Sequence, residues 1–375
     1  MNMKRKIFDL TLIISAAALL IFFGVGTLLP RDSDFSETEN RMLATLKPPT
    51  VEQIADGSFS RDISAFYRDG LPHRVRLISL RTRSELFLLK GQSNGVIFAE
   101  DGYLLQKGEY DDLALAERNF EHLARIEDMC EDSGKPLVCA IAPRGIDVMS
   151  HRLPKTYGAG YKEIWQYAEG LTVEYTDLTP PLKSAAESGE YVWYRTDHHW
   201  TTEGAYIAYA ALSEKLGYIP APADSFTPWE AEGDFFGSVY SLGGCIAPIG
   251  DKVELYRYNG DGDYIFEISE SGETTEGFYF FDRLSVKDKY SVFLGGNYAE
   301  CSLRKVGTEK RERLLLIKDS YANAIVPFLA IHYDIELVDL RYFEGGEKAL
   351  EEKICRADRV LLLHGIDTIA TTPLY

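Results

Sequence analysis

Asp197, His198, His199 and Trp200 stand together in the run YRTDHHWTTEGAY (Tyr194–Tyr206), which holds two of the chain's seven histidines. In an extended segment residues i and i+2 share a side, so Asp197 and His199 would face one site and His198 the other. An aspartate beside an imidazole fixes its tautomer and stabilises its cation, which makes a general base that works near neutral pH. Taken alone, the run also fits a capping aspartate, a partly buried histidine and a core tryptophan. A zinc site would need a third ligand from elsewhere, because neither H-x-x-x-H nor H-E-x-x-H occurs.

A base needs a group to deprotonate, and Ser320 in LLLIKDSYANAIVPF is the best placed. It falls where an apolar run ends and a helical pattern begins. In doubly wound folds ligands bind at the carboxyl ends of strands, with a helix N-terminus behind them. The run is not the G-x-S-x-G elbow, since Lys318 and Ala322 stand where its glycines would be. A serine that caps the helix is the alternative reading. FLGGN (Phe293–Asn297) closes another apolar run. Gly296 and Asn297 there could donate hydrogen bonds to a developing oxyanion, or form a plain turn.

These residues need a scaffold. PLVCAIAP (Pro136–Pro143), YSVFLGG (Tyr290–Gly296), RLLLIKDS (Arg313–Ser320) and DRVLLLHG (Asp358–Gly365) read as strands buried on both faces, and DIELVDL (Asp334–Leu340) as a weaker fifth. Helical patterns at Tyr321–His332 and Glu347–Ala357 alternate with them, the order of a doubly wound parallel α/β sheet. Ile63–Leu89 and Leu113–Cys130 read as further helices, and Thr201 or Thr202 as the cap of a helix after the Asp-His pair. Residues 224–283, rich in Gly, Tyr, Phe and Ser, read as a β-rich or loop insertion that either lines the cleft or is a surface excursion.

Leu10–Leu29 runs twenty residues without a charge, behind Lys4, Arg5 and Lys6. That length spans a bilayer, and the basic flank keeps the N-terminus cytoplasmic, with everything after Pro30 outside the membrane. A cleaved signal peptide is the alternative. The domain expectation is therefore a basic start and anchor over 1–30, an extracytoplasmic tether over 31–60, and a catalytic domain over 61–375 with its insertion at about 224–283. The formal net charge of −18 opposes nonspecific binding to nucleic acid and other polyanions. Cys130, Cys139, Cys245, Cys301 and Cys355 lack C-x-x-C spacing and read as buried thiols, or as one disulfide with the rest free.

Together, RTDHHWT with Gly204-Ala205, VFLGGN, LLLIKDSYAN with PFL (Pro327–Leu329), DLRY (Asp339–Tyr342) and FSETENR (Phe35–Arg41) resemble the DHHW proteins. That family is related to the SGNH-hydrolase-like domains that O-acetylate alginate. The resemblance spans nearly the whole chain. It implies an SGNH-like sheet in permuted order, because the acid and base precede the nucleophile, and a Ser320–His199–Asp197 triad. It also implies an acetyl-serine intermediate, an extracytoplasmic polysaccharide as acceptor, a multipass membrane-bound O-acyltransferase as donor partner, and no cofactor. By analogy Gly296 and Asn297 would serve the oxyanion. Tyr321, Arg195 and Arg341 lie in the resembling motifs as candidates for glycan or donor contacts, or for structural roles. The chain departs from the family at Arg144-Gly145, where an Asn-Lys pair is common after the strand-ending proline, which puts one substrate contact in question. An acetylesterase with the same triad, and a non-catalytic glycan-binding or assembly protein, are the competing readings. His73, His122, His151, His332 and His364 read as surface or structural, with His364 at a strand end.

Overall fold

The structure is a computed structural model that describes residues 3–29, 31, 33–39, 41–108, 113–157, 175–260, 263–307 and 310–374. It forms two compact units, Met1–Lys90 with Gly244–Ile246, and Gly91–Gly243 with Ala247–Tyr375.

The first unit begins with a helix, Met3–Leu28, whose large apolar side chains from Ile7 onward are exposed except the half-buried Phe23. Its stretch Lys6–Leu28 has 23 residues. At 1.5 Å per residue that is ~34 Å, enough for a hydrocarbon layer of about 30 Å. Within the stretch expected as a tether, residues 33–39 and 41–60 hold short ordered elements. Phe35–Ser36 pairs with Arg41–Met42, and Thr50 and Gln53 close a capping box on the helix Val51–Ala55. The buried carboxylate of Asp69 organises this region by accepting from both Arg41 guanidinium nitrogens at 2.8 and 2.7 Å and from Ala44 N at 2.9 Å. Arg41 and Asp69 are thus charge partners in a local fold. The helical run Ile63–Leu89 divides into Ser58–Gly70 and Arg74–Phe87, separated at Leu71-Pro72, because proline lacks a donor and biases its predecessor to extended backbone.

The second unit is built on eight strands: β1 (Leu137–Ala142), β2 (Tyr175–Asp177), β3 (Tyr264–Ile268), β4 (Glu273–Glu276), β5 (Glu300–Lys305), β6 (Arg313–Lys318), β7 (Asp334–Asp339) and β8 (Arg359–Gly365). Their order is β4-β3-β5-β7-β6-β8-β1-β2. From β7 to β2 every pairing is parallel, and β5, β3 and β4 extend the sheet antiparallel. Successive residues of β6 alternate between two cores. Leu314 and Leu316 pack with Leu212 and Leu216 of the helix Thr202–Leu216, while Leu315 and Ile317 pack with Phe120 and Ile126 of the helix Leu113–Asp132. Burial on both faces explains why these strands read as unbroken apolar runs.

Two expectations are corrected. Residues 224–283 are not merely an insertion, since β3 and β4 belong to the main sheet. Tyr290–Gly296 is not a strand: Lys289–Val292 is a 3-10 turn, and Leu294, Gly295 and Gly296 have φ of 64°, 78° and 145°. Consecutive positive φ values cannot continue a ladder. No disulfide links the five cysteines; Cys130, Cys139 and Cys301 are buried, Cys245 is half-buried and Cys355 exposed.

Candidate active site

Ser320 is the first residue after β6 and Asp319, at the carboxyl end of the parallel strands. Asp319 pins the turn: its Oδ1 accepts from Tyr321 N at 2.9 Å and its Oδ2 from Gly365 N, at the end of β8, at 2.7 Å. The helix expected over Tyr321–His332 is a 3-10 turn, Ser320–Ala324, followed by the short helix Val326–Leu329. Pro327 has no N–H with which to continue a longer ladder.

The Asp-His segment is a closed loop. Trp193 and Trp200 form an isolated antiparallel bridge, and Thr201 N donates to Val192 O at 3.0 Å. Asp251, fully buried, holds the loop from inside by accepting from Arg195 N at 2.7 Å, Thr196 N at 2.8 Å, the Thr196 hydroxyl and the Tyr191 hydroxyl. Asp197 and His199 therefore meet through a turn, in which His199 N donates to Asp197 Oδ1 at 3.1 Å, and not through strand periodicity. For the same reason His198 does not face away. Its ring lies 3.8 Å from that of His199, and its Nδ1 bonds the Ser238 hydroxyl at 2.6 Å. Thr201 caps the following helix by accepting from Gly204 N.

Three side chains form one line. His199 Nδ1 lies 2.6 Å from Asp197 Oδ1, and His199 Nε2 lies 2.9 Å from Ser320 Oγ. In a neutral imidazole the Nδ1–H donates to the carboxylate, and the serine hydroxyl donates to Nε2. Asp197 Oδ2 accepts from Ser238 N at 2.7 Å and from the Ser238 hydroxyl at 3.0 Å. Tyr290 stacks on the His199 ring at 3.7 Å, with 5° between planes, and its hydroxyl donates to Ser320 O at 3.2 Å. Trp200 is fully buried behind the imidazole and donates to Tyr321 O at 3.1 Å.

Burial and the adjacent His198 push His199 down to about 4, against the pull of Asp197. Burial would raise Asp197, but the neighbouring imidazoles and the Ser238 N–H hold its carboxyl below the usual range. The pair thus rests as carboxylate and neutral imidazole at neutral pH, the state a general base needs. Ligand atoms of Asp197, His198 and His199 lie within 4.8 Å of one another. Nδ1 of His199 is already engaged by Asp197, and Nδ1 of His198 by Ser238.

The other candidates fall in different places. Asn297 Oδ1 accepts from Lys318 Nζ and Asn323 Nδ2, both at 3.2 Å, and Gly296 O also accepts from Asn323. Lys318 is buried with its ammonium 2.8 Å from Asn323 Oδ1 and 3.7 Å from Asp339. Arg341 grips Asp339 through two nitrogens at 2.8 and 2.6 Å, a structural role. Arg195 lies over the rings of Tyr103 and Tyr191. Tyr321 is buried against His199 and donates to His198 O at 2.7 Å, so it positions the loop. Arg144 is buried and bidentate to Asp147, and Gly145 abuts Trp193, where a Cβ would lie 2.6 Å from Nε1. His364 is buried near Asp319, whose negative charge opposes its desolvation, and neither of its ring nitrogens has a hydrogen-bond partner. Sequence reasoning missed Ser238, Asp251 and Tyr290. No local pattern marks them, because each acts on a segment 30 or more residues away.

Residues 182–338 match the family described as "DHHW protein", and residues 96–227 match the "SGNH hydrolase-like domain, acetyltransferase AlgX". The chain is thus similar to the DHHW family over that part of its length. A DHHW family protein from Eubacterium siraeum has the same fold at 22% identity, covering 76% of this chain and 94% of that one, with a TM-score of 0.61. Bacillus cereus PatB1 also shares the fold, at 18% identity over 75% and 98% of the two chains, again with a TM-score of 0.61. Among curated relatives, a "Probable alginate O-acetylase AlgJ" of Pseudomonas syringae pv. tomato is 27% identical over 172 residues, which are 44% of this chain and 44% of the relative. The protein of the same name from Pseudomonas putida is 32% identical over 131 residues, 32% and 34% of the two chains. The matches thus span less than half the length of these relatives.

Proposed function

We propose that this protein is an O-acetyltransferase that modifies an extracytoplasmic polysaccharide through an acetyl-serine intermediate. The observation that carries the proposal is the continuous Asp197–His199–Ser320 hydrogen-bonded line, with 2.6 and 2.9 Å links. The alginate O-acetylase name of its relatives supports acetyl as the group transferred and a polysaccharide as acceptor.

In this mechanism His199 Nε2 takes the Ser320 proton as Oγ attacks the acetyl carbonyl. The tetrahedral intermediate collapses, and the leaving group departs with the proton from His199. A sugar hydroxyl then gives its proton to His199 and attacks the acetyl-serine, and His199 returns the proton to Ser320. With Oδ1 of Asn297 tied to Lys318 and Asn323, its amide nitrogen is the donor left to serve an oxyanion, with the Gly296 region beside it. The apolar helix Lys6–Leu28 is proposed as an anchor that holds the catalytic unit outside the membrane, beside a multipass O-acyltransferase donor.

The test is single-turnover reaction with a chromogenic acetyl ester, followed by mass spectrometry of the Ser320 peptide. An added acetyl group there, passed to an added oligosaccharide faster than to water, is the expected result. Release to water alone would convert the assignment to an esterase. No acetylation at Ser320 would remove the enzyme reading in favour of a glycan-binding protein.

A further inference from the structure

A second concave site lies in the segment read as an insertion. The ribbon of Phe226–Glu230 and Glu254–Tyr258 pairs Thr227 with Arg257 and Trp229 with Leu255, and period-two geometry puts all four on one face. That face, the loop 277–281 and Pro327 enclose a cavity of about 570 Å³, within the range of small-ligand sites. Pro327 belongs to the short helix that follows the Ser320 turn.

The walls are aromatic and partly open. Trp229 and Phe281 are 46% and 58% exposed and meet at 85°, with centroids 5.6 Å apart, forming a corner with two accessible ring faces. Tyr258 and Phe278 continue the wall. Open aromatic ring faces lining a concave site are surfaces on which a sugar ring can stack. Among the described residues, the charged groups at the rim are Arg257, Asp263 and Glu276, two carboxylates to one guanidinium. Planar carboxylate and guanidinium groups can each engage a pair of neighbouring hydroxyls. Their balance, on a chain of net charge −18, repels a polyanion.

Resting on the acetyltransferase reading, we propose that this cavity binds an uncharged sugar unit of the acceptor polymer by stacking on Trp229 and Phe281. The acceptor is then a neutral glycan and not a polyuronate. An acyl chain is the competing occupant. It would use the aromatic walls but bring no hydroxyl to the carboxylates of Asp263 and Glu276.

The experiment titrates the full chain in lipid nanodiscs with cellotetraose, mannotetraose, tetra-N-acetylchitotetraose and tetramannuronate, by calorimetry and saturation-transfer NMR. At least one neutral tetrasaccharide should bind saturably, and the uronate should bind at least about tenfold more weakly. Trp229→Ala and Phe281→Ala should each weaken neutral binding about tenfold with unchanged circular dichroism, as expected for truncating a half-exposed ring. Ser320→Ala should bind as the wild type does. Binding of no neutral probe, equal or tighter binding of the uronate, indifference to both aromatic substitutions, or uptake of palmitate without any sugar would overturn the proposal. Sugar binding without acetyl transfer would sink the catalytic reading and leave the subsite standing; transfer without sugar binding would do the reverse.

Discussion

Asp197 and Gly237 lie so close that a Cβ on the glycine would stand 2.2 Å from the carboxylate Oδ2 and 2.4 Å from the aspartate Cβ. The contact places the Ser238 N–H on that same oxygen, so the Asp197 carboxylate is held by a segment far from it in sequence. Gly237 has φ of −81°, which any residue adopts, so its requirement is space and not backbone conformation. Gly237→Ala should displace the carboxylate and lower kcat/KM for a chromogenic acetyl ester by ~10²-fold, the usual cost of ångström-scale misplacement. Wild-type activity in a folded Gly237→Ala protein would show that Asp197 does not orient the base.

Ser320→Ala should remove turnover and labelling by a sulfonyl fluoride, with a loss of at least about 10³-fold in kcat, while the unfolding temperature stays near that of the wild type. Retained turnover in this variant would place the nucleophile elsewhere.

Asp251 supports the Asp-His loop without touching Ser320. Asp251→Ala leaves the N–H groups of Arg195 and Thr196 and two hydroxyls without their acceptor. The expected cost is about 2–4 kcal/mol in denaturant unfolding, since donors stranded in the interior each lose their desolvation energy. A loss below about 1 kcal/mol would mean that the loop is held by its tryptophans alone.

Depressed histidines set the acid behaviour. His199 and His332 are both pushed down to about 4 by burial, and His364 is also lowered. Unfolded histidines near 6.5 take up protons that these folded ones refuse, so their contribution is complete above pH 6.5 and is lost as pH falls towards 4. Melting temperature should decline over that window, and His332→Phe should flatten part of the slope. Because His199 must be neutral to accept the serine proton, the acid limb of kcat/KM should lie near pH 4. A limb at 6.5 or above would mean that Asp197 outweighs burial at this imidazole.

The apolar runs of β1, β6, β7 and β8 were legible because strands covered on both faces need unbroken hydrophobic sequence. The helix Thr202–Leu216 was legible from its threonine cap and its stripe. Tyr290–Gly296 misled for a matching reason: its apolar residues are buried, but by a turn with positive φ, and burial alone does not distinguish the two. Residues 33–39 and 41–60 hid their order because it depends on Asp69 and Arg41 finding each other across 28 positions.

By itself the sequence determined which groups could do chemistry and that a buried α/β sheet would carry them, because residue type and apolar periodicity are local properties. Only the tertiary structure decided that Ser320 and His199, 121 positions apart, come within 2.9 Å, and that Asp251, Ser238, Gly237 and Tyr290 hold the acid and the ring in place. Those relationships arise from strand order and from hydrogen bonds to buried carboxylates, which are satisfied through space and leave no periodic trace along the chain.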